Sequence, residues 1–479
     1  MNDMILILNL SDEFALEAAL RLRTEQVYTR IIDGSATVEE IKELDPRGVL
    51  ICGEQKNAPG KIDEGIVNLG IPVLALGHAS YLLLAAMGGA CAGAANSPRK
   101  VNIEYGESRL FGGLKSGERC LEETLTLMLP ADVQGCANAG GCTIAFQDVR
   151  RKLYGVQFEP ERNDPEGTTI LKNFARDICG CEPWYTREAA IAEAETRLAE
   201  AAAEVDQAVC VVSGGVDSTV AAMLAKRAFG ERMMAIYMET GLMREGESAR
   251  IQAAFEGLEI PLRVVDRSGV VLDALANKRN MKEKYEVVAR CLQQEMARQI
   301  EAMPGKKVLI LGSNYSDFLS GRSSDGWKDC GVPVLEPLGS CFKEEVRGLA
   351  EEIGLSPEIA GKKPFPLLGL GARILGQVTA DRLHALRTAD AIFSEEIDLA
   401  GLSRKLYKYF PVLLDFGLPH GRYSIILRAV TLYGTQLVPA RLPYDLVERT
   451  VERIQDSTPE VLRVFYDQTP TEVGQETFV

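Results

Sequence analysis

Ser213-Gly214-Gly215-Val216-Asp217-Ser218 lies between an apolar run, Val209 to Val212, and a helical pattern from Thr219 to Phe229. No other stretch constrains the chain as tightly. Successive glycines let the backbone turn sharply off a strand end and bring bare N–H groups close to an anion. Hydroxyls of Ser213 and Ser218 can add hydrogen bonds, and the helix that follows points the positive end of its dipole at the same place. The arrangement reads as a pyrophosphate cradle. A lone Gly-Gly pair would more often be a packing turn, but the ordered string between strand and helix favours the anion. No lysine follows in Gly-Lys-Ser/Thr spacing, so a Walker-type lysine contact to the terminal phosphates is not offered. Asp217 instead supplies a carboxylate suited to Mg²⁺, an ion usually held by few protein oxygens plus phosphates.

A chain of 479 residues has room for two or three domains at about 100–200 residues each. Its 46% hydrophobic and 25% charged content is that of a globular protein. A formal net charge of -15 argues against broad binding to nucleic acid or to an anionic membrane, which would need a basic face. The start, Met1-Asn2-Asp3-Met4, has no signal-peptide pattern, since its apolar stretch soon meets Asp12 and Glu13. Tyr81 to Ala95 is apolar but too short to span a bilayer. The expected location is the cytoplasm. Eleven scattered cysteines fit reduced, mostly buried thiols, and Cys179-Gly180-Cys181 has the wrong spacing for a redox or zinc pair.

Short β-rich runs (Ile5 to Leu8, Gly48 to Cys52, Val73 to Leu76, Leu153 to Phe158) alternate with helical patterns such as Phe14 to Thr24, an α/β layout. Thr186 to Asp206 reads as a connecting helix. Beyond it, Met233 to Met238, Leu262 to Val265 and Lys307 to Leu311 look like further strands of a parallel sheet. After Lys363-Pro364-Phe365-Pro366, helices (Ala380 to Leu399, Pro443 to Ile454) mix with strands (Tyr423 to Ala429, Val461 to Tyr466), as in a small α+β domain. The predicted domains are 1–185, 186–375 and 376–479.

The string SGGVDST resembles the PP-loop of the ATP pyrophosphatases, which cut ATP between the α and β phosphates and place AMP on a substrate oxygen. Over nearly the whole chain the order of motifs is similar to the GMP synthase family, the amidotransferases that make GMP from XMP. Gly155-Val156-Gln157-Phe158 and Asp177-Ile178-Cys179 match its class I glutamine amidotransferase half. Gly241-Leu242-Met243-Arg244, Val265-Asp266, Gly312-Ser313-Asn314-Tyr315-Ser316-Asp317, Glu336-Pro337-Leu338 and Phe342-Lys343-Glu344-Glu345-Val346-Arg347 continue it. So do Pro364-Phe365-Pro366, Arg373-Ile374-Leu375-Gly376 and Leu427-Arg428-Ala429-Val430-Thr431. The resemblance implies a flavodoxin-like amidotransferase domain, an adenine-nucleotide alpha-hydrolase-like PP-loop domain and a small α+β dimerisation domain. It also implies ATP and Mg²⁺ as cofactors and a homodimer.

Where the family places a cysteine nucleophile in a Gly-x-Cys-x-Gly elbow, this chain has Ala75-Leu76-Gly77-His78-Ala79, so Gly77 takes the nucleophile's place. Cys91 lies too far along to substitute on a strained turn. Phe158-Glu159-Pro160-Glu161 stands for the family's Phe-His-Pro-Glu, leaving Glu161, the orienting carboxylate, without its histidine. Cys52-Gly53-Glu54-Gln55 replaces adjacent oxyanion-loop glycines, and a glutamate there would oppose a developing oxyanion. The chain's three histidines are His78, His384 and His420, and His78 reads as a filler. The expectation is a first domain without glutaminase activity.

The acceptor side departs too. Glu239-Thr240 replaces Asp-Asn near the adenosine, the histidine-bearing lid is shortened over Gly321 to Val334, with Lys328 its remnant or a solvated loop lysine, and Pro366-Leu367-Leu368-Gly369 replaces Pro-Gly-Pro-Gly. Thr471 falls where the family's C-terminal lysine would reach XMP, removing a charge-assisted bond of about 1.5–3 kcal/mol.

By resemblance, Ser213, Gly214, Gly215, Val216, Ser218, Thr219 and Gly312 would bind the nucleotide, and Asp217 and Asp317 the metal. Lys343 would contact phosphate, with helix-surface packing the competing reading, and Arg373 would meet the departing pyrophosphate. The expected activity is adenylation of XMP or a related acceptor, followed by amination with free ammonia or ammonia from a separate protein. The alternatives are a PP-loop ligase or sulfur transferase with another acceptor, and a non-catalytic nucleotide-binding regulator.

Overall fold

The computed structural model describes residues 3–10, 12–53, 61–92, 99–121, 125–158, 165–319, 324–362, 365–414, 421–433 and 436–472. Glu54, Gln55, Glu159, Glu161, Lys363, Pro364, His420, residues 320–323 and the side chain of Lys328 lie outside that description. Two compact units divide the chain, Met1–Ala189 and Ala190–Val479.

The first unit is built on a nine-stranded mixed sheet. Its parallel half runs, in spatial order, Tyr28–Asp33, Met4–Asn9, Gly48–Cys52, Val73–Leu76 and Leu153–Val156. Cys142–Asp148, Gln134–Ala139, Arg99–Tyr105 and Gly117–Leu121 extend it antiparallel. Parallel strands covered on both faces read as continuous apolar runs rather than alternations. Gly48–Cys52 and Val73–Leu76 are buried at every residue, which is why these short runs were legible as strands.

In the second unit, five parallel strands lie in the order Leu262–Asp266, Met233–Glu239, Gln207–Val212, Lys307–Ile310 and Val334–Leu335. The first strand in sequence is thus central, and chain order reverses around it. In such sheets the crevice at that reversal, outside the strands' carboxyl ends, is where ligands bind. A six-stranded mixed sheet follows, with Ile374–Leu375, Lys408–Leu414, Tyr423–Tyr433, Gln436–Pro439 and Thr471–Glu472 in order and Val461–Tyr466 paired to Tyr423–Tyr433. One apolar cluster joins the two sheets, running from Val209, Ile236 and Leu309 to Phe393, Leu413 and Leu427. Lys284 is 1% exposed within this unit, and its ammonium is satisfied by donating to the Ile374 carbonyl at 2.7 Å.

Most elements fall within a residue or two of the expected bounds. Three differ by more, among them the helix Tyr444–Ser457, which runs past Ile454. The helix after the glycine turn spans Val216–Phe229 rather than starting at Thr219, because Gly215 is its extended N-cap and Val216, Asp217 and Ser218 form its first turn. The strand from Tyr423 continues to Tyr433, since Gln436–Pro439 pairs back onto its far end. The ten cysteines with described side chains are free thiols, and burial pushes Cys136, Cys181 and Cys210 up to about 12. Among the described residues no helix is long and apolar enough to cross a membrane.

Candidate active site at the glycine turn

The strand Gln207–Val212 ends in Ser213, which is exposed, and Gly214, which is buried with φ +74. A Cβ on Gly214 would sit 2.5 Å from Ile251 Cδ1, so both backbone conformation and space require glycine. Gly215 is the helix N-cap and makes no side-chain capping hydrogen bond, so the positive end of the helix dipole opens toward the turn. The Ser218 hydroxyl donates to the Gly215 carbonyl at 3.1 Å and accepts from Ser213 N at 3.2 Å. Thr219 Oγ1 donates to the same carbonyl at 2.8 Å. Ser218 and Thr219 are buried and brace the turn, while the Ser213 hydroxyl lies 3.4 Å from that of Ser218.

Gly312 stands just beyond the strand Lys307–Ile310, and a Cβ there would come within 2.5 Å of Ser218 Cα and 2.6 Å of Ser218 N. Its place is a backbone-to-backbone contact under the first helical turn. Gly312→Ala is expected to force the strand end away from the helix and cost about 1–3 kcal/mol, as overpacking does. Urea unfolding of the variant checks this, and weaker ATP binding should accompany the loss.

Asp217 is the second residue of the helix, and its Oδ1 is buried with no hydrogen-bond partner. Burial raises its pKa above the ordinary value, Lys343 opposes that, Asp317 adds to it, and Asn314 opposes it. Asp317 and Lys343 thus lie near enough to Asp217 to influence its charge. Asp317 Oδ2 accepts from Asn314 N at 3.1 Å, and Asn314 Oδ1 accepts from Asp317 N at 3.2 Å, a reciprocal pair that fixes the loop. Lys343 opens the helix Lys343–Glu352 and its N–H donates to Ser316 Oγ at 3.3 Å. Asn314 Nδ2 and Glu336 Oε1 are also buried without partners.

Two neighbouring carboxylates with an orphaned buried oxygen suit a hard cation. Among the described residues no group of three or more His, Cys, Asp or Glu could hold a metal.

Sequence reasoning missed Lys362. Its ammonium donates to the Gly214 carbonyl at 2.8 Å and pairs with Glu247 Oε1 at 2.5 Å. Burial works against ionisation of Glu247, but Lys362 and Arg250 outweigh it and hold the carboxyl below its ordinary value. Lys362 is 148 residues from Gly214, and no local spacing signals a contact that only the fold creates.

Arg373 lies in a buried charged cluster. Its guanidinium pairs with Asp390 at 2.8 Å and stacks on Phe365 and Phe410 at 5.1 and 4.8 Å. Burial lowers its pKa to about 10, with Asp390 opposing and Arg244 assisting. Arg244 shares Asp390 at 2.9 Å, and Arg387 donates to the Met243 and Gly241 carbonyls. The cluster ties the Gly241 to Arg244 loop to the helix Ala380–Leu399. At the glycine turn itself the fold places the ammonium of Lys362.

In the first unit, the strand Val73–Leu76 passes through Gly77, with φ +55, into the helix Ala79–Ala86. The strand-to-helix turn therefore carries no side chain at position 77. Gly77 N donates to Phe158 O at 3.2 Å. The His78 ring meets Tyr81 edge-on at 5.6 Å, and the Tyr81 hydroxyl donates to Gln157 Oε1 at 2.9 Å. Cys91 lies in the strand Ala90–Ala92, its thiol pushed up by burial.

A parallel sheet whose central strand feeds a glycine turn and an open helix N-terminus defines a PP-loop nucleotide domain, and the family profile described as NAD synthase matches residues 191–395. Over its length the chain is 31% identical to GMP synthase (glutamine-hydrolyzing) of Geobacillus kaustophilus, covering 98% of each chain. It is 30% identical to that of Listeria innocua, covering 97% of this chain and 96% of the other, and 31% identical to that of Clostridium perfringens, covering 98% of each. The chain belongs to the GMP synthase family.

Proposed function

We propose that this chain splits ATP into AMP and pyrophosphate at Ser213 to Ser218 and adenylates an oxygen of a purine-nucleotide-like acceptor, XMP or a related molecule. Ammonia, free or delivered by a partner protein, then displaces AMP. The observation that carries this reading is the buried, unpartnered Asp217 oxygen beside Asp317 and Lys343, at the end of an uncapped helix.

N–H groups of Gly215, Val216 and the turn that follows would hold the pyrophosphate portion of ATP, with the Ser213 hydroxyl alongside. Asp217 and Asp317 would hold Mg²⁺, which neutralises charge on the departing pyrophosphate when bound. Lys343 supplies a further cation near Asp217. Residues 1–185 are read as an amidotransferase-like domain without its own glutaminase activity, a reading supported by the bare Gly77 elbow and by the sequence Phe158-Glu159.

For the acceptor, Thr471 is informative. Its Oγ1 accepts from Arg428 Nη2 at 2.7 Å, while Arg428 also pairs with Asp467. That position anchors the tail strand instead of offering a cation to a phosphate, which favours a relative of XMP over XMP itself. The reading includes a homodimer through residues 376–479, supported by Tyr433 and Tyr444, which are 79% and 80% exposed. Pyrophosphate release should appear when ATP, Mg²⁺ and ammonium are supplied with the right member of a panel of purine nucleotides including XMP. A stable AMP complex with no turnover on any of them would favour a regulator.

A further inference from the structure

The Gly214–Gly215 peptide is the part of the turn with least intrinsic preference, because a unit between two glycines can rotate at little steric cost. Its orientation decides the sign of the field in the cradle. A trans peptide is planar, with its carbonyl and N–H pointing in opposite directions. If the Gly214 carbonyl faced the cradle, its negative end would oppose a phosphate; facing away, it leaves the Gly215 N–H to donate.

The carbonyl is held away by Lys362, whose ammonium donates to it at 2.8 Å. On the opposite side, Gly215 N–H points to Ser213 Oγ at 3.4 Å, on the side where the Ser213 and Ser218 hydroxyls meet. Lys362 is itself oriented by Glu247, which is 7% exposed and also takes Arg250 at 3.1 Å. Glu247 opens the helix Glu247–Gly257, and Ile251 of the same helix fills the space beside Gly214. One helix thus backs the turn with an apolar wedge and a carboxylate that aims the lysine.

We propose that Lys362, held by Glu247, is a positioning residue that locks the Gly214–Gly215 peptide with its N–H toward the phosphate cradle. The proposal rests on the reading of that cradle as a pyrophosphate site. It places at this turn a lysine that, unlike the P-loop lysine, works through the backbone.

The test uses the full chain, with magnesium pyrophosphate and AMP as separate calorimetric probes. Lys362→Met should weaken pyrophosphate binding about tenfold or more, the loss of an aligned donor to a charged ligand, while AMP affinity stays near that of the parent; Tm should fall, because Glu247 loses its ammonium partner, so both affinities are measured well below the variant's melting temperature. Lys362→Arg should restore most of the affinity, and Glu247→Gln should weaken it with an effect that does not add to that of Lys362→Met. Unchanged pyrophosphate affinity in Lys362→Met, or equal losses for pyrophosphate and AMP, would overturn the proposal. If the parent binds no pyrophosphate, the functional reading fails, and a crystal structure of ligand-free Lys362→Met still decides the clamp. A turned or disordered Gly214 carbonyl supports it, and an unmoved one rejects it.

Discussion

Asp217→Asn is expected to lower ATP-to-AMP turnover by about 10³-fold, the scale on which a group that stabilises transition-state charge is lost. The amide keeps the shape of the carboxylate but removes the charge that would hold Mg²⁺ against the departing pyrophosphate. Coupled measurement of pyrophosphate release checks it, and full activity would remove Asp217 from the metal site. The same substitution should leave the ligand-free chain at least as stable as the parent at neutral pH. The reason lies in the sign of the titration. Burial raises the pKa of Asp217 above its ordinary 3.8, so any stability tied to its protonated form is present at low pH and lost as pH rises through the folded value. The advantage of the asparagine should therefore shrink as pH falls toward 3.8, as thermal melts of both proteins across that range would show.

The second large effect concerns the nitrogen donor. With ammonium the chain should turn over, and with glutamine as sole donor it should stay at background. Removing a nucleophile or base from a covalent catalytic unit costs about 10⁶-fold, and on the proposed reading Gly77 stands in the nucleophile's place with no side chain. Gly77→Cys should yield a thiol that alkylates yet releases little glutamate, because a cysteine without a base nearby is only slightly ionised at neutral pH. Glutamate release from glutamine by the unaltered chain would sink this expectation.

The parallel strands were legible because full burial writes itself as unbroken apolar runs, and the glycine turn because strand, glycines and helix follow one another in sequence. Asp317 and Lys343 were singled out through their motifs, and in the fold both lie close enough to Asp217 to influence its charge. Gly312 was legible as a motif member, but its role as a contact surface under Ser218 depends on how closely two elements approach. The surroundings of Arg373 were illegible for a related reason. An arginine in a motif shows charge, not direction, and here Asp390 and two aromatic faces turn the guanidinium into a buried cluster.

Local order in the chain was sufficient to define the α/β class and the strand–glycine–helix turn, since each depends on neighbouring residues and their backbone preferences. Tertiary structure alone decided that Asp217 keeps a buried oxygen without a partner, and that Lys362 reaches Gly214 from a distant segment. Burial and long-range pairing are properties of the packed sheet and its helices, and no short window of sequence contains them.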